Sequence, residues 1–373
     1  MNYIENENFQ GYDPYDAMNS PVLNSFAFDK KYLRIIWTQL LKRFPWNIRP
    51  ILGIKKDYNP KGLGLFLWSY AKLYKKEKNQ TYLEKIDVLL DVLDKLKSTG
   101  YSGNCWGYNF DWQSRVFFLQ KFTPTVVNTS FIGHALIDTY EYTGEKRALQ
   151  MAIPIKDFIL YDLNRHEEDS AICFSYTPID KTAIHNANLL AASLLIRLYK
   201  YTNQDVLKDS ALAGLAYTMK YQRDDGAWYY AETDFQNWID SFHTGFNLQS
   251  ILYFIEEGYG NEYKAAFKKG VDFYKNNFFL NDGTPKFYHD KIYPVDVHSA
   301  AQAIVFFSRL KNDFKDMNNK IAGWMIKNLQ DKRGYFYLHK KRFFTNKISY
   351  MRWSQAWAFH ALTEFLLQGD KTC

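Results

Sequence analysis

The sequence predicts an all-α fold, an (α/α)6 toroid in which six inner helices form a closed ring inside an outer set, with short β-like turns at the mouth. Three observations carry it. A unit made of an apolar periodic run, a Gly turn with an aromatic exit, and a second run opening on polar residues recurs along the chain. Gln222 to Tyr230 followed by Asp240 to His243 is its plainest copy. The polar openings fall at Asn59, Asn128, His185, His243, His298 and Arg352, 54 to 69 residues apart. Successive helices also alternate in polarity: Asn188 to Ile196 is apolar nearly all round, whereas Glu84 to Asp91 carries charge over a full face. Helices of the first kind need burial on both sides and those of the second on one, which places them in inner and outer rings.

In chain order, residues 1–24 are polar and rich in turn formers (Gly11-Tyr-Asp-Pro14, Asn19-Ser-Pro21), which predicts an arm laid on the surface. Phe9, Tyr12 and Tyr15 would hold it against a toroid domain of residues 25–373. An outer helix over 30–43 presents Leu33, Ile36, Trp37, Leu40 and Leu41 at helical spacing and stops at Phe44-Pro45. Asn59-Pro60 then supplies an N-cap with Pro at the first helical position, starting an inner helix over 60–77. Further outer helices are expected over 81–98, 145–161, 205–222, 260–277 and 315–329. The inner ones are expected over 126–143, 184–201, 241–257, 296–311 and 352–367.

Composition narrows the function classes. With 47 Lys and Arg against 40 Asp and Glu, the formal charge of +7 reads as mild and spread along the chain. It admits an anionic substrate and does not call for nucleic acid. Aromatic residues make up 18% of the chain, with 29 Tyr, 29 Phe and 10 Trp, more than a helical core needs, so some rings should face a cavity. Cys105, Cys173 and Cys373 have neither disulfide nor zinc spacing, which fits a reducing cytoplasm. Residues 1–21 are acidic, without the apolar stretch of a secretory leader, and no transmembrane segment is expected. Asn79-Gln-Thr81 and Asn128-Thr-Ser130 match the glycosylation pattern, but without export they carry no such expectation. The oligomeric state is left open.

In such a ring the loops entering the inner helices share one end, so their first turns converge on the mouth. The candidate catalytic residues are Asp240 and Asp296, with His243 and His298 in the same first turns. Substrate-binding candidates are Trp106, Trp112, Arg115, Asn128, His185, Asn188, Trp228, Arg352 and Trp353; Asn59, Lys61, Asn186 and Gln355 stand at the same openings. Neighbouring inner helices would put the two Asp carboxylates roughly 6.5 to 9.5 Å apart, the gap an inverting glycosidase uses to seat a water. Each Asp is equally well read as an N-cap, and each Trp beside a Gly turn as a plug for the barrel end. Alternatively those rings stack on pyranose faces while polar groups bind hydroxyls and Arg binds a carboxylate. His185, His243 and His298 invite a zinc reading, but equivalent places round a ring stand too far apart to share one ion. No metal and no cofactor are expected. Nucleophile-elbow and phosphate-loop motifs are absent.

Gln222-x-x-Asp-Gly226-x-Trp228 resembles the Gln-Trp turn of terpenoid cyclases, in the turn alone. Cys105 to Arg115, Thr123 to Ser130, Asp240 to Gly245, Val295 to Ser299 and Met351 to Gln355 resemble bacterial polysaccharide-biosynthesis proteins of the six-hairpin-glycosidase type, over roughly residues 100–368. Arg352-Trp353 is also similar to a pair in the helical domain of D-glucuronyl C5-epimerases. The resemblance implies a carbohydrate-active enzyme working on an oligosaccharide or polysaccharide, or its lipid-linked precursor, that contains uronic acid. Hydrolysis is the first expectation. Uronyl lyase or C5-epimerase chemistry, or a non-catalytic glycan-binding role in polysaccharide assembly, are the alternatives.

Overall fold

The computed structural model describes residues 1–27 and 29–368. The chain begins with α1 (Asn2–Asn6), α2 (Pro21–Ala27) and α3 (Lys31–Arg43). It continues through α4 (Pro60–Glu77), α5 (Gln80–Lys95), the hairpin β1 (Trp112–Gln113) and β2 (Phe118–Leu119), α6 (Val126–Thr143), α7 (Lys146–Ala152) and α8 (Ile155–Asp157). A second hairpin, β3 (Arg165–Glu168) and β4 (Ala171–Phe174), leads to α9 (His185–Thr202), α10 (Asp205–Lys220), α11 (Ser241–Glu256) and α12 (Lys264–Phe278). After β5 (Val295–Asp296) come α13 (Val297–Arg309), α14 (Lys315–Leu329), β6 (His339–Lys340), β7 (Thr345–Asn346) and α15 (Trp357–Leu367). Strands β5, β6 and β7 form one small antiparallel sheet.

The architecture is the (α/α)6 toroid. Helices α4, α6, α9, α11, α13 and α15 pack each on the next, and α15 closes back onto α4. Outside them, α5, α7, α10, α12 and α14 cover α4, α6, α9, α11 and α13. Burial from both sides is why every residue from His185 to Leu198 of α9 is buried while α5 buries one stripe, Tyr82, Ile86, Leu89, Leu90 and Leu93. Close approach of the inner helices depends on Gly64, where a Cβ would stand 2.8 Å from Ile132, and on Gly133, where one would stand 2.5 Å from Leu194. Side-chain caps start four of the ring helices: Asn59 accepts from the Gly62 N–H at 3.4 Å, Thr125 from Asn128 at 3.1 Å, Asp240 from His243 at 3.1 Å and Asp296 from His298 at 2.8 Å.

Three expectations are corrected. The helix over 31–43 forms, but it does not join the outer ring: α3 packs on α2, the turn at Asp16–Asn19 and β1, at the mouth. The arm is not laid on the surface. Ile4 and Phe9 enter the main core, Phe9 lies 5.4 Å from the Phe66 ring and 6.2 Å from Tyr70 on α4, and the Tyr70 hydroxyl donates to Glu5 at 2.6 Å. Asp13 and Asp16 are buried because each meets a buried arginine: Arg352 donates to Asp13 from Nε and Nη2, and Arg49 Nε to Asp16 at 2.8 Å. The helix expected over 145–161 breaks at Pro154, which has no N–H to give, and resumes as α8 and a π-helical turn, Phe158–Asp162. Another π-helical turn, Met351–Ala356, leads into α15.

Polar groups close the far end of the barrel. Lys72, Asp138, Arg197, Tyr253 and Arg309 each lie twelve residues beyond the start of their inner helix. Asp138 accepts from Arg197 at 2.5 Å and from Trp68 Nε1 at 2.6 Å, and Lys72 pairs with Glu364 at 2.8 Å. Burial pushes the Asp138 carboxyl up, but Arg197 and Lys72 outweigh it and hold the group below the usual carboxylate range. Access is thereby confined to the end where the inner helices begin. Among the described residues no helix is long and apolar enough to cross a membrane.

Candidate active site

A cavity of about 520 Å³ opens where the inner helices start, and all six ring segments reach it: Lys61 from α4, Val127 from α6, Asn186 from α9, Phe242, His243 and Phe246 from α11, His298 from α13, and Arg352 with Trp353 from the turn before α15. Tyr108, Tyr176, Tyr230 and Trp238 form its walls, and α3, the β1–β2 hairpin and Tyr15 of the arm form its rim.

Two imidazoles face this space. His243 is held by Asp240, whose Oδ2 lies 2.6 Å from Nδ1 and also accepts from Trp238 Nε1 at 2.9 Å. A carboxylate at Nδ1 keeps the proton there, so Nε2 is left with its lone pair. His298 lies parallel to the Phe242 ring at 4.5 Å, 4.3 Å from Trp357 and 4.9 Å from Trp353, and neither of its ring nitrogens has a hydrogen-bond partner among the described residues. Burial, followed by Lys61 and Arg352, pushes its pKa well down, so it stands as a neutral imidazole.

Among the described residues four basic side chains line the cavity, Arg43, Lys61, Arg115 and Arg352, and no carboxylate does. Arg352 is bidentate to Asp13, with Nε at 2.6 Å and Nη2 at 2.8 Å. Lys61 is buried with its ammonium 4.1 Å from the Phe131 centroid, 5.3 Å from Trp357 and 5.4 Å from Phe246. Burial and then Arg352 drive its pKa well down; the three ring faces pull the other way, though a cation–π contact is worth only about 2 kcal/mol even when desolvated.

The expected site residues divide. His243, His298, Arg352, Trp353, Trp112 and, at the exposed rim, Arg115 line the cavity. Asp240 and Asp296 stand one layer behind it, and Asp296 is screened by Trp353, whose Nε1 donates to it at 3.1 Å. Burial raises the Asp296 carboxyl to about 6. The other substrate-binding candidates lie outside this lining. Trp106 is fully buried with Nε1 on the Leu93 carbonyl, and Trp228 donates to the Thr218 carbonyl, so both are plugs. Asn188 braces α10 and β4 through Gly214, Thr218 and Phe174. His185 turns outward to Glu232, 2.8 Å away, and to Tyr217 and Tyr221 on the α10 side, so the three histidines do not converge on one ion. Asn128 is buried in the first turn of α6 but outside the cavity lining, and its N–H donates to Thr125, the cap of that helix. Asp13, which holds Arg352, and Arg43 are among the contributors the sequence did not mark.

No protein-family profile matches the chain, and no curated protein is similar to it in sequence. Solved structures do share its fold. The cellobiose 2-epimerase of Bacillus thermoamylovorans superposes with a TM-score of 0.64 at 15% identity, covering 83% of this chain and 87% of that one. A sugar epimerase from a ruminal bacterium gives 0.62 at 14% identity, covering 86% and 91%. The α-1,6-mannanase of a Salegentibacter species gives 0.62 at 13% identity, covering 84% and 91%. At these identities the likeness is one of fold.

Proposed function

We propose that the protein is a carbohydrate-active enzyme that moves a proton at a carbon of an anionic sugar, with epimerisation of a uronic acid unit in an oligosaccharide or polysaccharide as the reaction. The observation that carries this reading is a lining that, among the described residues, has two imidazoles and four basic side chains but no carboxylate. A glycosidase needs an acid and a base in contact with its substrate, and Asp240 and Asp296 lie behind rings. Proton abstraction next to a carboxylate needs instead a base with a free lone pair and positive charge where the enolate develops.

In this reading His243 Nε2 takes the proton, Asp240 fixes the tautomer and stabilises the resulting imidazolium, and neutral His298 gives its ring N–H proton to the carbon from its own side of the cavity; His243 then returns its proton to solvent and His298 recovers one from it. Lys61, which takes up a proton as the anion binds, and Arg352 flank the two imidazoles and hold the sugar carboxylate. Trp112 and the stacked pair Tyr230 and Trp238, 4.6 Å apart, present ring faces for a pyranose. That two of the fold neighbours are sugar epimerases is consistent with this choice, and the buried unpaired thiols of Cys105 and Cys173 fit the reducing compartment expected for it.

One observation favours hydrolysis: Asp296 near 6 has the proton affinity of a general acid. Its place behind Trp353 argues against it. Incubation with a panel of uronate-containing oligosaccharides, read by mass spectrometry and NMR, separates the cases. Unchanged mass with one inverted carbon is the expected product. Gain of water means hydrolysis and would overturn the proposal, as would elimination to an unsaturated uronide with no epimer.

A further inference from the structure

We infer that α3 and the tip of the β6–β7 hairpin together form a docking surface for an anionic lipid membrane. The inference is independent of which reaction the cavity runs. On α3, Tyr32, Ile36 and Leu40 recur every four residues, so they share one helix face, and that face is open to solvent: they are 75%, 48% and 55% exposed. Beyond the helix Trp46 and Ile51 are 69% and 83% exposed, and Phe343 at the hairpin tip is 89% exposed. Scattered apolar side chains on a surface are ordinary, but three on one helix face, with further exposed rings and aliphatics on the segments beside it, make a face that lacks a partner.

Charge identifies the partner. Residues 30–56 contain eight basic side chains and no acidic one, and residues 332–348 contain six and none. The formal excess of +7 is therefore gathered in these two segments, leaving the rest of the chain net acidic, which corrects the expectation of an even spread. The segments are neighbours in space, since Arg43 and Lys42 both act on the Lys341 ammonium. Asp29, which adjoins α3, is paired with Arg34 at 2.5 Å, and Arg49 is buried against Asp16, so Lys30, Lys31, Lys341 and Arg342 carry the field outward.

An apolar stripe edged with lysine and arginine and tipped with aromatics is the pattern of an interfacial helix, whose rings and aliphatics enter the headgroup boundary while the cations meet anionic lipid. A second copy of this face would bring like charges together, and a soluble polyanion would leave Ile36, Leu40 and Ile51 in water. The inner side of α3 lines the cavity through Ile35, Gln39 and Arg43, so docking sets the mouth beside the bilayer surface.

Flotation with vesicles tests this, using phosphatidylcholine alone and an equal mixture with phosphatidylglycerol. The full chain should float with the anionic vesicles, remain behind with the neutral ones, and lose its binding at high salt. Two double variants at exposed positions outside the cavity, Ile36→Asp with Leu40→Asp and Phe343→Ser with Phe344→Ser, should each lower the partition coefficient about tenfold or more while keeping the melting temperature. Absence of flotation with any vesicle would overturn the inference, and so would flotation that both variants leave intact. A dimer in sedimentation equilibrium that Ile36→Asp with Leu40→Asp dissolves would assign the face to a second copy instead. Retention on heparin without vesicle binding would assign it to a soluble polyanion.

Discussion

Replacing Asp13 by Ala should destabilise the protein far more than its place in a polar N-terminal stretch suggests. Its carboxylate receives Arg352 Nε at 2.6 Å and Nη2 at 2.8 Å, and both side chains are almost fully buried. Removing the acid leaves the guanidinium without a counter-ion in the cavity wall, a loss of about 3 to 5 kcal/mol for a buried pair. The Tyr108 and Trp353 rings, 5.1 and 5.2 Å from the guanidinium carbon, return a part of this through cation–π attraction, but at about 2 kcal/mol at most they do not cancel it. At 373 residues the entropy of unfolding scales to a shift of about 4 to 6 °C in melting temperature. Calorimetry of Asp13→Ala, Arg352→Met and the double variant measures it, with the double variant recovering much of the loss because no charge is then orphaned. A shift below about 1 °C, or strict additivity, would refute the assignment of the arm's anchorage to this pair.

Two other outcomes are expected. Burial holds His134, His298, His339 and His360 neutral, the last two at about 3 and 4. Below their ordinary value near 6.5 the unfolded chain takes up protons there that the folded chain refuses, so stability falls as pH falls. Asp16 and Asp296, raised to about 6 by burial, act in the opposite sense between pH 6 and the ordinary carboxylate range. Four against two leaves a net loss of about 2.7 kcal/mol per pH unit, or about 3 °C, between pH 6 and 4, and a flat or rising melting temperature on acidification would contradict it. Lys61→Met, close in volume and uncharged, should weaken binding of uronate oligosaccharides about tenfold or more in calorimetric titration and flatten its salt dependence; unchanged affinity would remove Lys61 from the site.

The inner ring was legible because its signal is local and repeated: apolar on all faces, with a cap or polar turn at each start. What a first-turn residue faces was not, since successive residues on a helix point about 100° apart. His185 turns out to Glu232 while Asn186, one position on, lines the cavity. The arm looked like surface because its buried aspartates are explained only by arginines distant in sequence, Arg352 for Asp13 and Arg49 for Asp16. Helix α3 showed a stripe that reads as an outer-ring face, yet Ile36 and Leu40 on that stripe are open to solvent. Amphipathicity says that a face wants a partner and does not say which. The aromatic turns were ambiguous for the same reason: Trp106 and Trp228 are buried outside the cavity lining whereas Trp112 and Trp238 reach it.

Proton transfer by His243 and His298 at a sugar carbon, as proposed above, would exchange that proton with solvent, and the exchange can be measured. Incubation of the substrate in deuterium oxide, followed by NMR of the recovered sugar, should show deuterium at the carbon next to the carboxylate in step with turnover. Asp240→Asn, which keeps the helix cap but no longer holds the Nδ1 proton, should slow incorporation by about 100-fold or more; His298→Asn should abolish inversion. Turnover with no deuterium on carbon, or incorporation undiminished in both variants, would contradict the account.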